Sequence, residues 1–201
     1  QEDRFGTTIE YRHFRDWNTL IKDAEVYIGR HFTTHNRSLP DMSPLLLKKF
    51  REGLQELIIN AIDHSESRLG VFACGQLFPK INRLDFTIAD MGIGIHGRFE
   101  RAFGKPIQPI DAIRMAISGK FTTRPGRPGG LGLSGLRKFI ELNRGRFIIV
   151  SGNGYFEEQA GQTSEHNLNW PFPGTAVTIE IKTDDKCQYF LQEEVYPQDI
   201  F

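Results

Sequence analysis

Residues 43–64 read SPLLLKKFREGLQELIINAIDH, and this stretch decides the fold. Ser43 is a good N-cap and Pro44 suits the first helical position, so a helix is expected to start here. From that point Leu47, Phe50, Leu54, Leu57, Ile58, Ala61 and Ile62 recur at helical spacing as one apolar stripe, which would pack on a sheet. Glu56 and Asn60 stand four residues apart on the other side, and Asp63 and His64 continue that face one turn on. A carboxamide oxygen is a hard ligand suited to Mg²⁺, and a carboxylate on the same helix can orient or deprotonate a water. The same spacing also describes an ordinary solvated helix face.

Working outward, residues 71–77 and 84–89 read as strands, the second alternating at Leu84, Phe86 and Ile88. Helical spacing returns over 110–117 and 133–142, and residues 146–150 and 175–181 read as the last strands. A polar, Gly-rich insertion over 152–173 separates that pair and stays unassigned. Toward the N-terminus, Trp17, Leu20, Ile21, Ala24, Ile28 and Phe32 predict a helix over 16–32, followed by a loop over 33–40. Helices and strands intermix, with sequential strands close enough for hairpins. An α+β sandwich with helices on one face of a mixed, mostly antiparallel sheet is therefore expected.

Two further segments carry chemistry. Asp90-Met91-Gly92-Ile93-Gly94 follows directly on a strand. An aspartate there can accept a hydrogen bond from a base amino group, while glycines let the backbone pass close beside a flat ring. A strand-ending Asp-x-Gly turn is also common structure. The second segment, Gly126-Arg127-Pro128-Gly129-Gly130-Leu131-Gly132-Leu133-Ser134-Gly135, opens a helix, where exposed N–H groups and the dipole favour phosphate. It lacks the Lys and Ser/Thr of the G-x-x-x-x-G-K-[ST] loop, and a flexible glycine loop would look the same. Lys120, Arg124 and Arg127 add positive charge nearby.

Composition narrows the function classes. The 201 residues carry 25 Lys+Arg against 25 Asp+Glu, so no basic field is available for nucleic acid, and any anionic ligand must be held locally. Cys74 and Cys187 are the only cysteines, too few for a disulfide scaffold, and reduced thiols in a cytoplasmic protein are expected. No apolar run approaches the ~18 residues of a membrane span. The opening Gln1-Glu2-Asp3-Arg4 does not read as a signal peptide and lacks an initiating Met, so a fragment or processed product is expected.

Taken in order, the 56–64 helix face, the Asp90 turn, Gly129-Gly130-Leu131-Gly132-Leu133 and Gly174-Thr175-Ala176-Val177-Thr178-Ile179 resemble the GHKL ATPase superfamily. That superfamily covers gyrase, ninety-kilodalton heat-shock chaperones, histidine kinases, MutL and the anti-sigma-factor kinases. The resemblance runs from about Pro44 to Lys182, so three parts are expected. Residues 1–41 would be a helical extension or linker from an upstream domain, 42–183 the ATP-binding domain, and 184–201 a tail.

The resemblance implies a two-layer Bergerat-type fold binding ATP and Mg²⁺. Glu56 would be the water-activating base, Asn60 the Mg²⁺ ligand, and Asp90 the adenine reader, with Gly92 and Gly94 shaping the pocket. Gly129, Gly130, Gly132 and Gly135 would face the phosphates with Lys120 nearby, at the end of a lid spanning 95–134. Thr175 would bring a hydroxyl near adenine. Asp63 and His64 are shared between two patterns: Asn-Ala-x-x-His is similar to the anti-sigma kinases, and Asn-Ala-x-Asp to gyrase.

The activity implied is slow ATP hydrolysis driving a conformational switch, read by an attached or partner domain, with a homodimer as one arrangement. The rival is a phosphotransferase, either an anti-sigma-type Ser/Thr kinase or a histidine-kinase catalytic domain. A sensor that binds ATP without turnover is a third. His13-Phe14-Arg15-Asp16 bears a faint similarity to a phospho-acceptor site, but some forty residues leave little room for the helical hairpin such a site needs, so His13 reads as structural.

Overall fold

The computed structural model describes residues 6–16, 18–33, 39–118, 131–191 and 194, with the backbone alone for 131–134. In chain order the elements are β1 (Thr8–Phe14), α1 (Leu20–His31), α2 (Pro44–Ser65), β2 (Val71–Phe78), β3 (Arg83–Asp90), α3 (Gly94–Phe103), α4 (Pro109–Ile117), α5 (Leu131–Leu142), β4 (Arg146–Gln159) and β5 (Gln162–Lys182). The strands form one sheet in the order β1-β2-β3-β5-β4, and every neighbouring pair is antiparallel. The parallel pairing described is an isolated bridge from Met42 to Tyr189. The α+β expectation holds, with an antiparallel sheet.

Helix α2 behaves as its sequence dictates. The Ser43 hydroxyl accepts the Leu46 N–H at 3.0 Å, satisfying one of the unpaired donors of the first turn. Phe50, Leu54, Ile58 and Ile62 are buried in a core shared with α1, α5 and the inner face of the sheet. Burying each such side chain stabilises by about 1.5–3 kcal/mol. Tyr189 and Glu194 strap the start of α2: Ser43 N–H donates to the Tyr189 carbonyl at 2.9 Å, and the Ser43 hydroxyl donates to the Glu194 carboxylate at 2.6 Å.

Because side chains alternate across a strand, the sheet has two chemically different faces. One outer row pairs Thr87 with Thr178 at 2.9 Å, and the next carries the ion pairs among Arg83, Asp85, Glu180 and Arg146. The inner rows are apolar: Phe86, Ile179 and Phe147 align, then Ile88, Val177 and Ile149. The following inner row changes character. Asp90 pairs with Thr175, and Thr175 with Ser151. Three polar side chains thus stand at one end of an otherwise greasy face, and this register creates the site.

Two regions differ from the sequence reading. Residues 8–14, with no periodic signal of their own, form β1 against β2, and His13 contacts the Leu69 carbonyl and packs on Phe72 at 4.4 Å, a structural role. The stretch 152–173 is the outer half of the β4–β5 hairpin, turning at Ala160 (φ 49°) and Gly161 (φ 78°). Its alternation is broken by glycines and prolines, and two-residue turns of this kind usually announce themselves by Asn-Gly or Asp-Gly, which Ala160-Gly161 does not. The arm is held down by Arg137, which donates to Glu158 at 2.6 Å and to the Ile117 carbonyl at 2.9 Å.

Candidate functional site

Asp90 is the last residue of β3 and is 2% exposed. Its Oδ1 accepts the Gly92 N–H at 2.8 Å, and the backbone N–H of Thr175 donates to the same carboxylate. Burial pushes the Asp90 carboxyl up to about 6, opposed by these two N–H groups. At neutral pH the group is ionised, so it can accept a further hydrogen bond from whatever lies against it.

The turn after Asp90 is locked to α2. Ile93 N–H donates to the Ser65 carbonyl at 2.8 Å, closing the turn onto the end of the helix. Gly92 lies so close that a Cβ there would meet the Ser65 oxygen at 1.9 Å. Gly174, at φ 124°, lies against Asp90 in the same way, a Cβ falling 2.2 Å from the Asp90 carbonyl oxygen. Both glycines are required by backbone packing. Gly94 opens α3 and faces the Ser151 hydroxyl and the His96 ring.

Glu56, Asn60 and His64 are half-buried along one side of α2, with Asp63 exposed beside them. His64 is pulled below its ordinary pKa, first by burial and then by the Arg98 guanidinium of α3, so it is neutral at pH 7. Its Nδ1 is buried with no hydrogen-bond partner among the described residues, as is Nδ1 of His96. The α2 face therefore runs toward the Asp90 turn through the joint at Ser65. Gly135 is exposed one turn into α5, and a Cβ there would meet nothing within 4 Å. Gly132 falls within α5, described by its backbone alone, while Lys120, Gly129 and Gly130 lie outside the described residues. Much of the stretch expected as a lid is helical, in α3 and α4.

A family model described as histidine kinase-, DNA gyrase B- and HSP90-like ATPase matches residues 47–185. The chain belongs to this family. As a GHKL-type domain it is an ATP-binding domain, and its helices and antiparallel sheet are consistent with that fold. No match is found among curated proteins. Among the described residues no helix is long and apolar enough to cross a membrane.

Sequence reasoning missed Ser151 in this GHKL domain. It is fully buried and its hydroxyl contacts Ile95, Gly174 and Thr175. A signal was present: Phe147, Ile149 and Ser151 share one parity, so a serine continues an apolar, inward-facing row.

Proposed function

We propose that this GHKL domain is a slow Mg²⁺-dependent ATPase whose nucleotide state is read by an attached or partner domain. The observation that carries this reading is the buried Asp90 carboxylate, aligned in one sheet row with Thr175 and joined by its turn to the helix that bears Glu56 and Asn60. Asp90 would accept the adenine 6-amino group and Thr175 would offer its hydroxyl beside it. Gly92 and Gly94 would hold the turn that passes the ring. On the phosphate side the reading assigns Lys120, Gly129, Gly130, Gly132 and Gly135, with Asp63 and His64 on the helix face nearby.

The donor set fits magnesium. Asn60 offers a hard amide oxygen, and among the described residues no group of three His, Cys, Asp or Glu side chains could hold a metal ion. A cation here would lean on phosphate oxygens and water, the habit of Mg²⁺. When bound, it would neutralise phosphate charge and polarise the terminal phosphoryl group. Glu56 would orient a water in line with that group and take its proton, so catalysis would rest on positioning and electrostatics.

Radiolabelled [γ-³²P]ATP tests this. Wild-type protein should release free phosphate, and Glu56→Ala should lose at least about 10²-fold in rate while retaining ADP affinity. Equal hydrolysis by the variant removes the role of Glu56. Label transferred to protein instead of released would assign phosphotransfer, the alternative reading.

A further inference from the structure

The Ser151 hydroxyl sits among three polar neighbours, and a count of its protons fixes a direction. It accepts the Ile95 N–H at 2.8 Å, and lies 3.2 Å from the Gly174 carbonyl oxygen and 3.0 Å from Thr175 Oγ1. A hydroxyl has one proton and two lone pairs. The Ile95 N–H occupies one lone pair. The Gly174 carbonyl can only accept, so the Ser151 proton is directed there. The contact with Thr175 must then be completed by the Thr175 proton, donated into the remaining lone pair of Ser151. Thr175 is left with lone pairs alone on its open side. Sending the Ser151 proton to Thr175 instead would forgo the bond to the carbonyl of the buried Gly174.

We propose that Ser151 is a positioning residue that holds the Thr175 hydroxyl as a pure hydrogen-bond acceptor, so that Thr175 and Asp90 together select a purine bearing a 6-amino donor over one bearing a 6-oxo acceptor. This rests on the adenine-nucleotide reading of the site. The fixed proton is what distinguishes the arrangement from a free threonine, whose hydroxyl could turn to suit either base. Gly94 belongs to the same device: a Cβ there would stand 2.9 Å from Ser151 Oγ, crowding the hydroxyl away from its partners.

The test compares ADP with inosine diphosphate by calorimetry on the whole chain. Wild type should prefer ADP, and Ser151→Ala should lower that preference roughly tenfold, mainly by improving the inosine ligand. Thr175→Val should lower the preference to a similar extent, adding Ser151→Ala to Thr175→Val should change nothing further, and Thr175→Ser should keep the wild-type ratio. A purely structural serine would weaken both ligands equally and leave the ratio unchanged, and that result overturns the proposal. Should Ser151→Ala fail to fold, Ser151→Cys keeps the side-chain shape while weakening all three hydrogen bonds, and an unchanged ratio in that variant overturns it too. Wild-type protein that binds neither ligand would defeat the nucleotide reading itself, a different failure.

Discussion

Around Asp90 the polar groups are engaged before any ligand arrives. Its carboxylate is held by Gly92 and Thr175, Ser151 bonds Ile95 and Gly174, and Ile93 ties the turn to Ser65. Glu56 and Asn60 present the opposite picture, standing half-buried on one helix and carried by its backbone. Under the proposed function the difference is one of division of labour. A base-reading surface has to be preorganised, since any reorganisation on binding subtracts from affinity. Groups that act on phosphate and water can be completed by the ligand, because the charges they meet arrive with it. The first end should therefore respond to substitution as part of the fold, and the second as part of the chemistry.

The largest expected effect is on stability. Gly92→Ala and Gly174→Ala each thrust a methyl group into backbone oxygen, at 1.9 Å and 2.2 Å respectively, and neither obstacle is a flexible side chain. Each should cost about 3 kcal/mol or more. For a domain of this size that is a fall in Tm of roughly 6–12 °C, read by thermal unfolding with nucleotide absent. An unchanged Tm in either variant would mean that the turn has slack, and the contrast with the α2 face would disappear. Glu56→Ala, by comparison, should change stability by no more than about 1 kcal/mol, roughly 2–4 °C in Tm, since Glu56 is only half-buried and, among the described residues, no backbone contact depends on it.

Next comes pH. The folded Asp90 carboxyl titrates at about 6 against an ordinary 3.8, driven by burial. In the free domain this favours the protonated fold: the contribution is full below 3.8 and lost as pH rises through about 6. The shift corresponds to about 3 kcal/mol. Under the proposed function, ligand binding would have the opposite preference. A donor from the base stabilises the ionised carboxylate, so adenine-nucleotide affinity should fall, toward a limit of about tenfold per unit, as pH drops below 6. Protons should also be released on binding between about pH 5 and 7. Calorimetry in buffers of different ionisation enthalpy measures that release directly. Zero release across the window would separate Asp90 from the ligand.

The uneven legibility of the chain follows from the same contrast. Helix α2 could be read because its cap, proline and stripe all agree, and Leu84, Phe86 and Ile88 mark β3 by plain alternation. Asp90 and Thr175 were visible because they sit in motifs with glycine beside them. Ser151 was not, although its parity betrays it, since a lone serine after an apolar strand usually ends it. Strand β1 was hidden for a related reason: as an edge strand its burial is patchy, with Ile9 and Phe14 inward and Tyr11 exposed. The β4–β5 arm was hidden by Gly152 and Gly154, whose value lies in close contact with His96 of α3 and with α4 respectively. A Cβ on Gly154 would fall 2.9 Å from the Ile110 nitrogen, a constraint with no trace in local pattern.

Gly135 gives the smallest and sharpest separation of the two ends. It is exposed inside α5, and a Cβ there would meet nothing within 4 Å. Glycine within a helix is less favourable than alanine by about 0.5–1 kcal/mol, so Gly135→Ala should stabilise the free domain by that amount. If Gly135 faces phosphate, as its motif implies, the added methyl group should at the same time weaken ATP binding relative to adenosine, which carries no phosphate to crowd. Thermal unfolding and paired ATP and adenosine titrations read both quantities on one protein. A variant that gains stability and binds both ligands as wild type does would remove Gly135 from the phosphate side, leaving it as a helix-surface position.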